Sequence, residues 1–248
     1  MKFLPAFFLV LLFGGNAALA DALEDKVNAA LAADIRTDAE KERDRNRKPL
    51  ATLQFFGLQD DMRVMELIPG GGWYTKILAP VLAENGKLYL ALGTRGVREN
   101  LVGKEGFEEM EVLDVDASFE RDGPFRTNNV DQVAFPVDDL DMVLTFRNMH
   151  NFTADARAKI NAAVFDSLKS GGHYGVVDHT ARHMEPMSAE NRRRLDPVIA
   201  IQEVVAAGFE FVGFSDLHYK PDDELRFEVG RKSVTGNTDR FTLLFRKP

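Results

Sequence analysis

Two groups of polar side chains in this sequence have the types that acid–base chemistry needs, and each group follows an apolar segment. They are, in chain order, Arg147, Asn148, His150 and Asn151, and then Asp178 and His179. An imidazole titrates near neutral pH, so His150 is the best candidate for a general base, the alternative being a histidine that only ties down its loop. In the second group, a carboxylate stands beside a second imidazole and could orient a histidine ring.

A glycine cluster is the third feature with chemical meaning. The apolar run that contains Glu66 is followed by Gly70-Gly71-Gly72, and Trp73-Tyr74 then opens a segment with helical periodicity. Glycine allows a backbone to come close to a ligand, and a helix start offers free N–H groups to an anion. The alternative is an ordinary strand-to-helix turn, which every α/β sheet contains.

The elements that position these residues alternate between strand and helix. The apolar patterns predict strands at 63–67, 87–92, 111–114, 141–146, 173–177, 209–214 and 240–245, and helices at 22–33, 50–56, 73–83, 153–168 and 190–207. Near-continuous apolar strands between helices predict an α/β fold with a doubly wound, mostly parallel sheet. The last two strands lack a helix between them, which indicates a closing antiparallel pair, and Asp239 and Arg240 before the last strand are expected to form an ion pair that steadies it. Residues 116–138 have weak periodicity and are expected to form an insertion or a lid-like loop.

Ligands of open parallel sheets bind beyond the carboxyl ends of the strands. The segments at that edge are predicted to be 70–74, 93–95, 114–116, 147–151 and 178–183. The glycine turn and both polar groups are therefore expected to face one cleft.

The N-terminal part divides into two segments ahead of a single domain at 49–248. Residues 1–20 have a lysine, an apolar run and a small-x-small ending, which predicts a signal peptide cleaved near Ala20 and a periplasmic or secreted protein. Residues 21–48 form a helical and charged arm. We expect its mixed charges at 38–48 to form a solvated face; the alternative is an arm that folds over the site and supplies a cation.

The amino-acid composition limits the classes of partner expected for this protein. The net charge of −8 disfavours a nucleic-acid binder, which must neutralise phosphates. The absence of cysteine excludes disulfides and thiolate sites, and no histidine spacing matches a zinc signature, so no metal is expected. The expected partner is a small-molecule substrate, with no stable membrane association after signal cleavage. The sequence leaves the oligomeric state open.

The segment Glu66-Leu67-Ile68-Pro69-Gly70-Gly71-Gly72 resembles the E-x-G-x-G-x-G turn of class I S-adenosylmethionine-dependent methyltransferases. The segments Leu168–His173 and Gly208-Phe209 resemble other turns of that superfamily. More narrowly, 70–75, 144–151, 177–179 and 238–241 look like a bacterial group of exported predicted methyltransferases, a resemblance that covers about residues 40–248.

The resemblance implies a Rossmann-like methyltransferase fold, S-adenosylmethionine (SAM) as cofactor and transfer of a methyl group to a small or medium acceptor. It assigns the site residues in three sets. Catalysis would fall to His150, Asp178 and His179; cofactor binding to Glu66, Gly70, Gly71, Gly72, Trp73, Tyr74, Asp114 and Asp116; and substrate binding to Arg147, Asn148 and Asn151.

The sequence departs from the superfamily pattern at two positions, and the second departure, together with the export signal, supports an alternative. The first glycine of the turn is replaced by Ile68, and the ribose-binding acid that ends strand two is replaced by Leu92 or Gly93. The alternative is a non-catalytic exported binding protein on a degenerate methyltransferase scaffold. A third possibility is an enzyme that uses another ligand in the same cleft.

Overall fold

The computed structural model describes residues 15–248, and it describes side chains from residue 22 onward. Its helices are α1 (Gly15–Ala32), α2 (Asp38–Glu42), α3 (Asp44–Arg47), α4 (Pro49–Phe56), α5 (Thr75–Leu82), α6 (Arg95–Asn100), α7 (Ala154–Ser167) and α8 (Pro197–Ala206). Its strands are β1 (Arg63–Leu67), β2 (Lys87–Ala91), β3 (Glu111–Val112), β4 (Phe119–Glu120), β5 (Asn129–Val130), β6 (Leu140–Phe146), β7 (Leu168–His179), β8 (Glu210–Ser215) and β9 (Arg240–Arg246). Two short 3₁₀ turns span Pro124–Arg126 and Met149–Asn151.

Seven strands form one sheet in the order β3-β2-β1-β6-β7-β9-β8. The first five of these pair in parallel, and β9 runs antiparallel between β7 and β8. This confirms the predicted doubly wound sheet with a closing antiparallel pair. The chain moves from β1 outward through β2 to β3, and later from β6 outward in the other direction. The crevice of such a sheet lies at this reversal, between the ends of β1 and β6.

The sheet is covered on both faces, as its apolar strands require. One buried cluster joins α1, α4 and α5 to one face, through side chains such as Val27, Phe56 and Ile77. A second joins α7 and α8 to the other face, through side chains such as Val164 and Val204. A sheet held from both sides gives the loops at its edge a rigid base.

Two helix predictions show which local signals were sufficient. The helix expected at 153–168 is α7, and the Thr153 side chain accepts a hydrogen bond from the amide of Ala156 as its N-cap. The helix expected at 190–207 is wrong at its start, because α8 begins at Pro197 with Asp196 as its N-cap. The segment before it is a loop in which Arg194 pairs with Asp223, with both side chains buried.

The expected lid at 116–138 lies beside the sheet instead of over the cleft. It contains the β4–β5 pair and is fixed to α7, where Lys159 Nζ donates to the carbonyl of Val130 at 2.9 Å. It lines neither of the two cleft cavities described below.

Most of the predicted signal peptide, positions 1–14, lies outside the described residues. From residue 15 to the C-terminus, no helix is both long and apolar enough to cross a membrane.

Candidate active site

A buried carboxylate holds a histidine ring at the end of β6. His150 lies in the 3₁₀ turn that follows this strand, and Asp178 lies near the end of the neighbouring β7. The Nδ1 atom of His150 is 2.5 Å from Oδ1 of Asp178, and the backbone amide of His150 donates to Oδ2 at 2.9 Å. Two contacts fix the ring and its backbone together, so the loop cannot turn the imidazole away without breaking both.

This pairing decides which nitrogen of His150 is available. Because the carboxylate accepts a hydrogen bond from Nδ1–H, the neutral ring carries its lone pair on Nε2. His150 lines a cavity in the cleft although only 6% of its surface is exposed. The arrangement is therefore that of an imidazole held in one tautomer at the wall of a cavity.

Asp178 orients His150 and does not orient the ring of its sequence neighbour. From His179, the Asp178 carboxylate accepts a hydrogen bond of the backbone amide alone, at 2.7 Å. The His179 ring contacts Thr238, with Nδ1 3.0 Å from Oγ1. Burial, followed by the nearby charge of Arg240, holds the pKa of His179 well below its usual value. His179 is therefore a neutral wall of the cavity.

The cavity in front of His150 has a volume of about 390 Å³ and is rich in arginine. Its cationic residues come from four separate parts of the chain. They are Arg43 and Arg47 from the arm, Arg147 after β6, Arg193 before α8, and Arg240 at the start of β9. No acidic side chain is part of its described lining, which also includes Asn151. We refer to it as the arginine cavity.

The charged arm is folded over this cleft, so the expected solvated face is wrong for its last turn. Arg47 is 5% exposed, and its carbonyl oxygen accepts hydrogen bonds from His218 Nε2 at 2.9 Å and Thr52 Oγ1 at 3.1 Å. Tyr74 Oη adds a longer bond to the same carbonyl at 3.4 Å. The backbone is thus fixed where it delivers the Arg47 guanidinium to the site.

The buried arginines repel one another. Burial lowers the pKa of Arg47 to about 9, and the neighbouring Arg147 adds to this effect. The pKa of Arg240 falls to about 10, again through burial first and then through Arg147. Both groups remain cationic near neutral pH, so the cleft contains concentrated positive charge in a protein that is negative overall.

A second cavity of about 270 Å³ lies between the arm and the glycine turn. Gly70 and Gly71 form one wall, and Glu66 and Asn148 also line it. The amide of Asn148 donates to the carbonyl of Leu67 at 3.2 Å, which ties the β6 loop to the end of β1. We refer to this volume as the glycine cavity.

Glu66 is a buried carboxylate in the lining of the glycine cavity, which also includes Glu40 and three arginines. The Oε2 atom of Glu66 accepts a hydrogen bond from Thr75 Oγ1 at 2.6 Å. Burial raises the pKa of Glu66 to about 7, although the Thr75 hydroxyl opposes that rise. A cationic ligand group in this cavity would therefore stabilise the ionised carboxylate of Glu66.

Trp73 and Tyr74 line the glycine cavity and also hold the arm. The Trp73 indole N–H donates to the carbonyl of Glu40 at 3.1 Å, and the Arg47 guanidinium lies 4.2 Å from the centre of the indole ring. The Tyr74 ring stacks on Phe146, with ring centres 3.5 Å apart. Trp73 therefore both packs in the core and lines the cavity.

The opposite side of the glycine turn is closed. Ile68 occupies the position of the missing first glycine and has the left-handed conformation, φ 53°, that glycine adopts readily. Its Cγ2 atom would lie 3.0 Å from a Cβ built on Gly93, and a Cβ on Gly96 would meet the carbonyl oxygen of Gly70 at 2.3 Å. The loop after β2 therefore packs directly on the glycine turn.

The two acids assigned to the nucleoside end do not reach these cavities, which corrects the prediction. Asp114 and Asp116 are exposed and line neither volume. Asp116 instead accepts a hydrogen bond from Gln132 at 3.1 Å. The β3 strand that precedes them is only two residues long, and both acids lie in the loop after it.

Arg240 is a site residue that the sequence interpretation missed. The expected ion pair with Asp239 is not formed; Arg240 Nη1 donates to the carbonyl of Asn46 at 2.9 Å, while Asp239 accepts the amide of Lys220 at 2.7 Å. The predicted closing antiparallel pair was the sequence feature that could have placed Arg240 in the site. Such a pair places the start of β9 beside the end of β7, and Arg240 is opposite His179.

The metal-ligand types that follow β7 do not assemble. His183 Nδ1 lies 2.8 Å from the Asp196 carboxylate, and Glu185 faces Arg182. Within residues 15–248, no three potential ligands among His, Asp and Glu come together as a metal site.

No protein-family model matches the chain, and no curated protein matches its sequence. Its structure does resemble solved structures. A SAM-dependent methyltransferase from Aquifex aeolicus aligns with a TM-score of 0.54 and 17% identity over 82% of this chain and 92% of its own. The cyclase SpnF aligns with a TM-score of 0.55 and 15% identity over 95% of both chains. Human N-acetylserotonin methyltransferase, solved with SAM, aligns with a TM-score of 0.52 and 14% identity over 96% of this chain and 60% of its own.

Identities this low establish the fold alone. The mostly parallel seven-stranded sheet has the Rossmann-like fold of class I SAM-dependent methyltransferases, as the resemblance implied. The reaction has to be argued from the cleft.

Proposed function

We propose that this protein is a SAM-dependent methyltransferase that acts on a small molecule. One observation carries the proposal: the glycine cavity and the arginine cavity meet at a shared wall. Arg43, Arg47 and Arg147 line both volumes. A donor beside the glycine turn and an acceptor beside His150 would therefore be neighbours, which is the arrangement a direct group transfer needs.

The glycine cavity fits the amino-acid half of SAM. A Cβ built on Gly70 or Gly71 meets nothing within 4 Å, so the backbone there is open to a ligand. Glu66 is suited to an ammonium group, and Arg147 to a carboxylate. When bound, the cofactor supplies a methyl group activated by a sulfonium.

The nucleoside half has fewer partners. Leu92, at the end of β2, is buried and apolar, and the loop that follows it packs on Ile68. No carboxylate in this loop replaces the missing ribose-binding acid. We therefore expect binding that depends on the amino-acid half and is weaker than a complete site would give.

His150 would act on the acceptor. Its Nε2 would take the proton from an acceptor O–H or N–H, and the cofactor, when bound, would supply the methyl group to that oxygen or nitrogen. Asp178 keeps the ring in the tautomer that leaves Nε2 free and stabilises the imidazolium that results. A base placed in this way typically contributes about 10²–10⁴ in rate.

The contact of Ile68 with Gly93 favours a second candidate, a binding protein on a methyltransferase scaffold without the cofactor. SpnF, a cyclase by name, shares the fold, so the scaffold itself does not decide between these functions. The two candidates differ in one observable, which is the formation of S-adenosylhomocysteine.

Turnover tests the proposal. The purified protein is incubated with SAM and a panel of small hydroxy and amino acids and phosphate esters, and S-adenosylhomocysteine is quantified by mass spectrometry. We expect acceptor-dependent formation that falls about a hundredfold or more in His150→Ala. His183→Ala is the matched control, because that histidine is outside the cavities. If His150→Ala formed the product as fast as the wild type, His150 would not be the base. If no S-adenosylhomocysteine formed with any acceptor, the binding protein would be favoured.

We also propose that the protein works outside the cytoplasm, after cleavage near Ala20. Leu23, Val27 and Ala30 of α1 pack in the core, and all three follow the predicted cleavage site. N-terminal sequencing of protein released by osmotic shock is expected to start at Asp21. Recovery of an intact N-terminus from the cytoplasmic fraction would contradict export.

A further inference from the structure

The arginine cavity contains more positive charge than the structure itself neutralises. Five arginines line it, and among the described residues only Arg193 forms an ion pair with an acid, Glu228, which lies 2.5 Å from its Nε. Two buried carboxylates, Asp178 and Asp239, act on Arg240 through their charge but form no ion pair with it. Asp178 accepts from His150 and the His179 amide, and Asp239 accepts the amide of Lys220.

Arg240 shows the same deficit at the level of single atoms. It is 8% exposed, and its Nε has no hydrogen-bond partner among the described residues. A buried guanidinium N–H without an acceptor is costly, and native proteins rarely leave one unless something else supplies the acceptor. Its Nη1 donates to the Asn46 carbonyl, so the guanidinium is held in the wall of the cavity with part of its donor capacity unused.

The rest of the lining is consistent with an anionic occupant. Asn46 and Thr238 add side chains that can donate, while His179 is held neutral by burial. A hydrophobic acceptor would find only Val229 as an apolar side chain in this wall. Arginine binds carboxylates and phosphates in forked pairs, which makes these the groups that the wall recognises.

We propose that the arginine cavity binds a small organic polyanion, carrying carboxylate or phosphate groups, beside the Nε2 atom of His150. That this polyanion is the methyl acceptor rests on the proposed function. The anionic groups would anchor on Arg147 and Arg240, with Arg43 closing from the arm, and the nucleophilic O–H or N–H of the same molecule would face His150.

The test uses citrate and inorganic pyrophosphate as probes, in the absence of SAM and at an ionic strength held constant with sodium chloride. Calorimetric titration should show saturable binding of at least one probe to the wild-type protein. Arg240→Gln should weaken it about tenfold or more, because a charged donor pair is lost, and Arg240→Lys should recover part of the loss. Arg43→Gln, a change at an exposed residue, serves as the second variant if Arg240→Gln does not fold.

Arg95→Gln is the matched control. It removes the same charge from an exposed arginine that pairs only with Glu99 in α6, and it should leave probe binding unchanged. Equal loss in this control would mean non-specific attraction to positive charge and would overturn the site. Absence of probe binding to the wild-type protein would also overturn it.

SAM separates this proposal from the one on which it rests. If the cavity is an acceptor site, SAM and the probe bind together, and Arg240→Gln leaves SAM affinity unchanged because Arg240 does not line the glycine cavity. Competition between them would assign the arginines to the cofactor carboxylate and contradict an acceptor site. Probe binding without SAM binding would retain the anion site and refute methyl transfer.

Discussion

The Nε2 atom of His218 donates to the carbonyl oxygen of Arg47 across 2.9 Å, and this bond joins residues that are 171 positions apart in the sequence. On the other side of the ring, Nδ1 lies 2.7 Å from the Thr242 hydroxyl in β9. The imidazole thus bridges the last strand of the sheet to the last turn of the arm. The position of the Arg47 guanidinium depends on this bridge.

Replacing His218 by alanine should loosen the arm. The loss of two buried hydrogen bonds is expected to lower the free energy of unfolding by about 1–3 kcal/mol. It should also expose Arg43 and Arg45 to trypsin under native conditions, with cleavage mapped by mass spectrometry. His183→Ala is the control, since His183 is far from the arm in its contacts. Equal proteolysis of wild type and His218→Ala would mean that the bridge does not hold the arm.

The same histidine gives the fold a weakness in acid. Burial lowers the pKa of His218 to about 4, so the folded state favours the neutral ring. Its contribution is complete above the unfolded pKa of about 6.5 and is lost as the pH falls through about 4. Urea unfolding at a series of pH values should therefore show a steeper loss in this window for wild type than for His218→Ala. Parallel curves would contradict the assignment.

Glu66 should lower the stability of the fold at high pH, whereas His218 lowers it in acid. Its pKa rises from 4.5 in the unfolded state to about 7 in the folded state. Burial of the ionised carboxylate therefore lowers the free energy of unfolding, and this cost is absent below about pH 4.5 and complete above about pH 7. The variant Glu66→Gln removes that cost. At about pH 8 it should be more stable than wild type by roughly 3 kcal/mol, and at about pH 4 the two should be equal, as measured by urea unfolding. A variant less stable than wild type at pH 8 would show that the carboxylate is compensated in the fold.

Neighbouring glycines of the turn should respond differently to a methyl group. A Cβ on Gly72 would lie 2.6 Å from Leu101 Cδ1, and its φ of 84° is strained for other residues. Gly72→Ala should therefore cost about 1–3 kcal/mol of stability. Gly71→Ala meets nothing within 4 Å and should leave the melting temperature nearly unchanged while it reduces SAM affinity. Loss of stability in Gly71→Ala alone would reverse this interpretation of the turn.

The tautomer of His150 can be observed without knowing the acceptor. Long-range ¹H–¹⁵N NMR at about pH 8 should show the proton on Nδ1, directed at Asp178, and an unprotonated Nε2. In Asp178→Asn the amide presents a donor, and the proton should move to Nε2. A wild-type spectrum with the proton on Nε2 would rule out His150 as a base towards the cavity.

Local patterns were enough to predict the sheet. Strand β1 has the predicted ends, 63–67, and β6 and β9 differ from their predictions by one residue, because apolar runs between turns are local signals. Ligands of open parallel sheets bind beyond the carboxyl ends of the strands, and this generalisation predicted that His150, Asp178 and the glycine turn lie at one edge of the sheet.

What the sequence did not reveal depends on tertiary packing. The charges of 38–48 have the periodicity of a solvated face, and only the fold shows that Arg47 is covered by His218 and Tyr74. Arg240 was assigned to an ion pair with its neighbour because sequence proximity was the only available guide. Asp114 was assigned by resemblance to a cofactor contact that the short β3 does not support.

The most direct test of the central claim is a calorimetric titration of the purified protein with SAM and with S-adenosylhomocysteine. We expect binding with one site per chain and a Kd of about 1–100 μM, or roughly −8 to −5 kcal/mol. Gly71→Val, which places a side chain in the glycine cavity, should abolish it without unfolding the protein. No heat with either ligand at millimolar concentration would contradict the account and leave the methyltransferase fold as a scaffold for another function.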